Sequence, residues 1–111
     1  FQLVSLGARL VMVGRSAEKT EEVVRELRRA GGDVSFEIAD LSLMAEIRSL
    51  ARRIAERHSA VHVLVNNAGA LFNRREMTAE GIERTLATDL LGPFVLTQAM
   101  LPVWPPAAVA L

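Results

Sequence analysis

Val61-His62-Val63-Leu64-Val65-Asn66-Asn67-Ala68-Gly69 is the most informative stretch of this sequence, because a strand and a turn meet in it. Four of its first five residues are apolar, which is typical of a strand buried inside a parallel sheet. Two asparagines, an alanine and a glycine then favour a tight turn. A buried strand that ends in a polar, glycine-containing turn is typical of an α/β protein with a ligand nearby.

Two strand-and-helix pairs precede this stretch. The apolar run at residues 10–13 predicts a buried strand, and Ser16 is the predicted N-cap of a charged helix that Gly31-Gly32 ends. Residues 34–38 alternate between apolar and polar, which predicts a strand with one face in water. Apolar residues at helical spacing then predict an amphipathic helix over residues 44–55.

A last helix is predicted from about Ala79 to Met100, with a kink at Pro93, whose ring removes a backbone donor. The Pro-rich segment 103–111 has no charge and no periodicity, so we expect a disordered tail after a domain at residues 1–102. The order strand, helix, strand, helix, strand, helix predicts an α/β fold: part of a doubly wound, Rossmann-like parallel sheet with flanking helices.

Composition narrows the classes of function. The chain has 111 residues, thirteen basic and thirteen acidic side chains, and no cysteine. The balanced charge argues against a nucleic-acid partner, and the histidines His58 and His62 lack the company that a metal site needs, so no metal is expected. Neither a signal peptide nor a bilayer-length apolar run is present, which predicts an intracellular, by default cytoplasmic, chain without a membrane segment.

Four sequence features in the right order resemble the short-chain dehydrogenase/reductase family. They are the Asn66–Gly69 turn, the Gly14-Arg15-Ser16 turn, the Asp40-Leu41 pair, and Leu91-Gly92-Pro93-Phe94 followed by Thr97. The resemblance covers roughly residues 7–102. Thr78-Ala79-Glu80-Gly81-Ile82-Glu83 is most similar to the retinol-dehydrogenase-like branch. A different doubly wound domain, such as a flavodoxin-like one, is disfavoured by the Asn66–Gly69 turn.

The resemblance implies NADP as the cofactor. Arg15, beside Ser16, would grip the 2′-phosphate where NAD-binding members carry an acidic group. Asp40 and Leu41 would flank the adenine, and Asn67, Ala68 and Gly69 would lie close to the cofactor ribose. The alternatives are that Arg15 is a solvated surface arginine, that Asp40 caps the next helix, and that residues 67–69 form a purely structural turn.

Several family features are absent. The first strand and the glycine-rich phosphate loop would precede residue 7, but residues 1–6 contain no glycine. Asp89 stands where the family usually has an asparagine. The chain has no tyrosine, and Lys19 is its only lysine, so the family's Tyr-x-x-x-Lys pair cannot exist in it. We therefore expect a sheet whose first strand is missing, no catalytic residue in this chain, and weak or absent NADP binding.

Two hypotheses follow. The first is a segment of an NADP-dependent oxidoreductase that moves hydride between NADP(H) and a small-molecule alcohol or carbonyl, including a lipid-like one. Such a segment would be truncated or alternatively joined and inactive alone. The second is a non-catalytic interaction module that forms a homo- or hetero-oligomer through the helix at residues 79–100.

Overall fold

The computed structural model describes residues 2–69 and 72–111, which divide into two compact units, Phe1–Asp40 and Leu41–Leu111. The first unit contains α1 (Gln2–Ser5), β1 (Arg9–Gly14), α2 (Ala17–Arg29) and β2 (Asp33–Ile38). The second contains α3 (Met44–Arg57), β3 (Val63–Leu64), α4 (Arg84–Leu86), a π-helical segment (Ala87–Leu91), α5 (Gly92–Ala99), a 3-10 turn (Leu101–Val103) and β4 (Val109–Ala110). Within the described residues each unit has one two-stranded parallel sheet.

In the first unit, β1 and β2 pair in register from Arg9 opposite Asp33 to Gly14 opposite Ile38, with α2 as the crossover between them. The parallel pairing confirms the predicted strand, helix, strand unit. The core is formed by apolar side chains of α2 and β2, with partly buried neighbours from α1 and both strands: Val24, Leu27 and Val34, with Val4, Leu10, Met12 and Phe36.

The two strands of the first unit differ from their predicted burial. The apolar side chains of β1 are half-buried rather than fully buried. Glu37 of β2 was expected on a face in water, yet it is only 7% exposed. An alternating pattern therefore misplaced this glutamate, because a carboxylate with interaction partners can lie on a covered face.

Both ends of α2 form as predicted. The Ser16 hydroxyl oxygen accepts a hydrogen bond from the Lys19 backbone N–H at 3.4 Å, which is the expected N-cap. The helix ends at Arg29, and Gly31 adopts φ +88°, a left-handed conformation that favours glycine. The crossover from β1 to β2 thus has a defined start and a defined stop.

In the second unit, α3 packs against α5. The predicted amphipathic helix is confirmed and extends to Arg57, with His58 as its C-cap. The buried apolar residues of this unit come from α3, from the helix after residue 84 and from the 3-10 turn: Met44, Ile47, Leu50, Ala51, Ile54, Ala87, Leu96, Met100 and Val103.

The last helix begins later than predicted. Residues 78–83 form a turn in which Gly81 has φ +78°, and the helix starts at Arg84, where the Glu83 carboxylate caps the N–H groups of Thr85 and Leu86. The predicted start at Ala79 was wrong because a positive φ cannot continue a right-handed helix. The irregularity near Pro93 is the π-helical segment just before it, and Pro93 itself occupies the first turn of α5.

The segment 103–111 differs from the disordered tail expected for it. Val109–Ala110 runs parallel to Val63–Leu64, and the Leu111 N–H donates to the Leu64 carbonyl at 2.8 Å. The Trp104 indole N–H donates to the Thr97 carbonyl at 3.1 Å. These hydrogen bonds satisfy backbone groups and the indole N–H. The expectation of disorder rested on the lack of charge and periodicity, which carries no information about such hydrogen bonds.

Candidate functional site

The carboxyl ends of β1 and β2 lie side by side. The Ala39 N–H donates to the Gly14 carbonyl at 3.0 Å, which extends the pairing of the two strands by one bond. The turn at Arg15 and Ser16 and the loop at Asp40 therefore follow neighbouring strands at the same edge of the first unit. Gly14 leaves no room for a side chain there, because a Cβ would overlap the Thr20 hydroxyl.

Arg15 is the exposed cation of this edge. Its side chain makes no hydrogen bond or ion pair with any other residue in 2–69 or 72–111. Ser16 is exposed too, and its oxygen accepts the α2 capping bond while its O–H hydrogen remains free to donate. Asp40 is half-buried and engaged in interactions. One guanidinium, one hydroxyl and the start of a 13-residue helix can together bind an anion.

Leu41 belongs to the second unit, where its backbone is held close to α5. A Cβ added to Gly92 would lie 2.6 Å from the Leu41 carbonyl oxygen and 2.9 Å from that of Ala87. Real Cβ atoms do not approach oxygen so closely, so only glycine lets α5 pack against this loop. The position of Leu41 thus depends on a glycine, Gly92 of α5, that lies about fifty residues later in the chain.

The turn at Asn67, Ala68 and Gly69 also belongs to the second unit and is exposed. Among the residues that the structure describes, a Cβ on Gly69 would meet only Asp89 Oδ1, at an ordinary 3.6 Å. The turn and the π-helical segment are therefore neighbours, and Asp89, which has interaction partners, brings a carboxylate to this turn. A π-helical turn inside an α-helix is frequent at functional sites.

Sequence reasoning missed Glu80. Its two carboxylate oxygens accept hydrogen bonds from the backbone N–H groups of Met44, at 2.6 Å, and Ala45, at 3.0 Å. These are the first two residues of α3, whose N-cap position is Leu43, a residue without a capping oxygen. The absence of Ser, Thr, Asn or Asp at that position was the available signal that the cap comes from elsewhere in the chain.

No helix in the described part of the chain is both long enough and apolar enough to cross a bilayer. Within the first unit, the exposed Arg15 guanidinium and the Ser16 hydroxyl are hydrogen-bond donors of the kind that bind phosphate. The sequence contains no tyrosine that could act as a phenolic proton donor beside them.

Comparison with known proteins shows which family this chain belongs to. The model of the short chain dehydrogenase family matches residues 1–108. The chain is 34% identical over 104 residues to Dehydrogenase/reductase SDR family member 12 of Bos taurus, covering 92% of this chain and 32% of that protein. It is 34% identical over 102 residues to Retinol dehydrogenase 11 of Homo sapiens, covering 90% of this chain and 32% of that one.

A solved structure shows the same fold. A metagenomic short-chain oxidoreductase in complex with NADP superposes with a TM-score of 0.78 at 35% identity, covering 92% of this chain and 47% of its own. The predicted Rossmann-like fold is thereby confirmed. This chain spans about a third of the curated relatives and about half of the solved one. By the family match over 108 of its 111 residues, the chain belongs to the short chain dehydrogenase family.

Proposed function

We propose that this chain carries the adenosine-binding part of an NADP-dependent oxidoreductase. The observation behind the proposal is the exposed Arg15 guanidinium, without a partner among the described residues, at the end of β1 and the start of α2. A guanidinium can hold a 2′-phosphate with two charge-assisted hydrogen bonds, and Ser16 adds a donor at the same helix start. The solved NADP complex with the same fold supports this choice of cofactor.

The other predicted cofactor-binding residues are proposed for each unit by itself, Asp40 in the first unit and the rest in the second. Asp40 and Leu41 would flank the adenine, while Asn67, Ala68 and Gly69 would lie against the ribose, where the exposed turn lets a ligand approach the backbone. NADP(H), when bound, supplies or accepts the hydride. We infer a lipid-like alcohol or carbonyl as the substrate of the full reaction, supported by the similarity to a protein named for retinol.

We expect the 111-residue chain itself to bind NADPH weakly and to oxidise none of it. The sequence has no tyrosine, so it lacks the phenolic donor that would give the carbonyl a proton as it accepts a hydride, as the family resemblance implies. The test is an NMR titration of the labelled chain with NADPH and separately with NADH, alongside an absorbance assay for NADPH oxidation with retinal.

The site predicts larger shifts with NADPH, concentrated at Arg15, Ser16 and Asp40. Shifts spread over the whole surface, or none at all, would overturn the nucleotide site. Steady NADPH oxidation above a buffer blank would overturn the claim of inactivity.

An interaction module is the second candidate function, and one observation favours it. Large apolar side chains on the helix that starts at Arg84, and on the turn after it, are strongly exposed: Leu86 44%, Leu90 61%, Phe94 62% and Leu101 61%. Three of them recur every four residues, which is the spacing of one helical face. A second copy of this chain, with the same apolar stripe, is the proposed partner.

Phe94→Ser tests this second candidate. Removing the largest exposed ring of the stripe should convert a dimer into a monomer in sedimentation velocity, because buried aromatic side chains dominate such contacts. Val23→Ser is the matched control, since Val23 is a 39% exposed apolar residue on α2 and outside the stripe. A wild-type chain that sediments as a monomer at its solubility limit, alone and when mixed with a full-length relative, would remove the module hypothesis.

A further inference from the structure

Glu80 connects a turn of the second unit to the first turn of α3. Its carboxylate receives two backbone N–H bonds, from Met44 at 2.6 Å and Ala45 at 3.0 Å. The first four N–H groups of any helix lack partners inside it, and a negative group there is favoured by the helix dipole. Because Leu43 has no side-chain oxygen, the distant Glu80 carboxylate serves as the cap for the Met44 and Ala45 N–H groups.

The turn that presents Glu80 is itself firmly closed. The Thr78 N–H donates to the Ile82 carbonyl at 2.7 Å, and the Ile82 N–H donates back to the Thr78 hydroxyl at 3.3 Å. Gly81 takes the positive φ that closes the turn. These hydrogen bonds hold the turn that carries Glu80 in one conformation. The Glu80 carboxylate therefore restrains the start of α3 from a closed turn rather than from a flexible loop.

The segment from Leu41 to Ala45 is thus fixed at both ends. At one end the Leu41 carbonyl packs against Gly92, and at the other Met44 and Ala45 donate to Glu80. Leu41 is the second-unit residue expected to contact the adenine. Only Ser42 and Leu43 separate Leu41 from Met44, so a movement of the first turn of α3 would also move Leu41.

We propose that Glu80 is a positioning residue for the nucleotide: by capping α3 it holds Leu41 in the conformation that contacts the adenine. This inference rests on the proposed NADP-binding function. Glu80 itself touches α3 and acts on the ligand only through the backbone. A purely structural cap would affect stability alone, whereas a positioning residue affects nucleotide affinity at equal stability.

The experiment compares Glu80→Ala and the milder Glu80→Gln with Glu83→Ala in the full 111-residue chain. Glu83 lies three residues on and also caps a helix, but it caps its own helix, at Thr85 and Leu86. Amide hydrogen exchange measured by NMR reports the contact with α3, and NADPH titration reports the affinity. Urea midpoints show whether the variants are matched in stability.

Glu80→Ala should speed exchange at the Met44 and Ala45 amides and weaken NADPH binding about fivefold to tenfold, with Glu80→Gln between it and the wild type. Glu83→Ala should speed exchange at Thr85 and Leu86 and leave the affinity within about twofold. Unchanged exchange at Met44 and Ala45, or equal loss of affinity in Glu83→Ala, would overturn the inference. A wild-type chain that does not bind NADPH would overturn the proposed function instead, while the exchange rates still test the Glu80 contact.

Discussion

Gly92→Ala should lower the free energy of unfolding of the second unit by about 2 kcal/mol. Overpacking typically costs about 1–3 kcal/mol, and this site lies at the upper end because the new Cβ would meet two backbone oxygens that cannot rotate away. The better helix propensity of alanine recovers at most about 1 kcal/mol. The measurement is urea unfolding followed by the fluorescence of Trp104, the single tryptophan, which lies in the same unit.

Gly69→Ala is the matched control. Gly69 has no positive φ, and within residues 2–69 and 72–111 its new Cβ would meet only Asp89 Oδ1, at 3.6 Å, so the unfolding midpoint should stay close to that of the wild type. NADPH binding should weaken in this control, because a methyl group would stand where the ribose is proposed to approach. An unfolding midpoint for Gly92→Ala equal to that of Gly69→Ala would show that α5 is not packed against the Leu41 carbonyl.

Arg15→Glu should weaken NADPH binding by about tenfold to a hundredfold while changing NADH binding little. Charge-assisted hydrogen bonds contribute about 1.5–3 kcal/mol, which corresponds to that range of affinity. The substituted carboxylate would also repel the 2′-phosphate, which NADH lacks. The measurement is a pair of titrations, one with each dinucleotide, on the same preparation of protein.

Arg25→Glu provides the control for charge alone. Arg25 is exposed and lies on α2, so its substitution changes net charge by the same amount in the same helix. It should leave the ratio of NADPH to NADH affinity within about twofold of the wild type, since surface charges in salt are largely screened beyond about 10 Å. If Arg15→Glu left that ratio unchanged as well, Arg15 would be a solvated surface arginine.

Local signals in the sequence predicted the ends of α2, whereas the buried strand predicted at residues 61–65 was wrong in length and burial, because only Val63–Leu64 forms a strand and Val63 is 55% exposed. Ser16 and Gly31 mark the two ends of α2 as expected, because capping and positive φ depend on one or two residues. The predicted start at Ala79 was wrong, since a helix was expected directly after Thr78 as its N-cap, whereas Thr78 lies in a turn in which Gly81 has a positive φ. The spacing of apolar residues shows which face of a helix is apolar, but it does not show at which residue the helix begins.

The contacts that the sequence did not reveal join residues far apart in the chain. Glu80 caps a helix that begins 36 positions earlier, and Gly92 admits a carbonyl from residue 41. Neither Glu80 nor Gly92 can be recognised from the sequence as a residue that makes such a contact. A glutamate in a polar turn and a glycine in a helix are each compatible with many roles. The family motifs predict Arg15, Asp40 and residues 67–69 as site residues, and this stays a prediction, whereas the contacts of Glu80 and Gly92 could be found only in the folded structure.

The pairing of β3 with β4 also has a consequence for how the chain is made. Among the described residues, Val63–Leu64 pairs with Val109–Ala110, which is synthesised about 45 residues later. At about 5–20 residues per second the ribosome needs roughly 2–9 s for that interval. During this time an apolar strand with an unpaired edge is available to other nascent chains, so aggregation during translation should decrease when chaperones bind this segment.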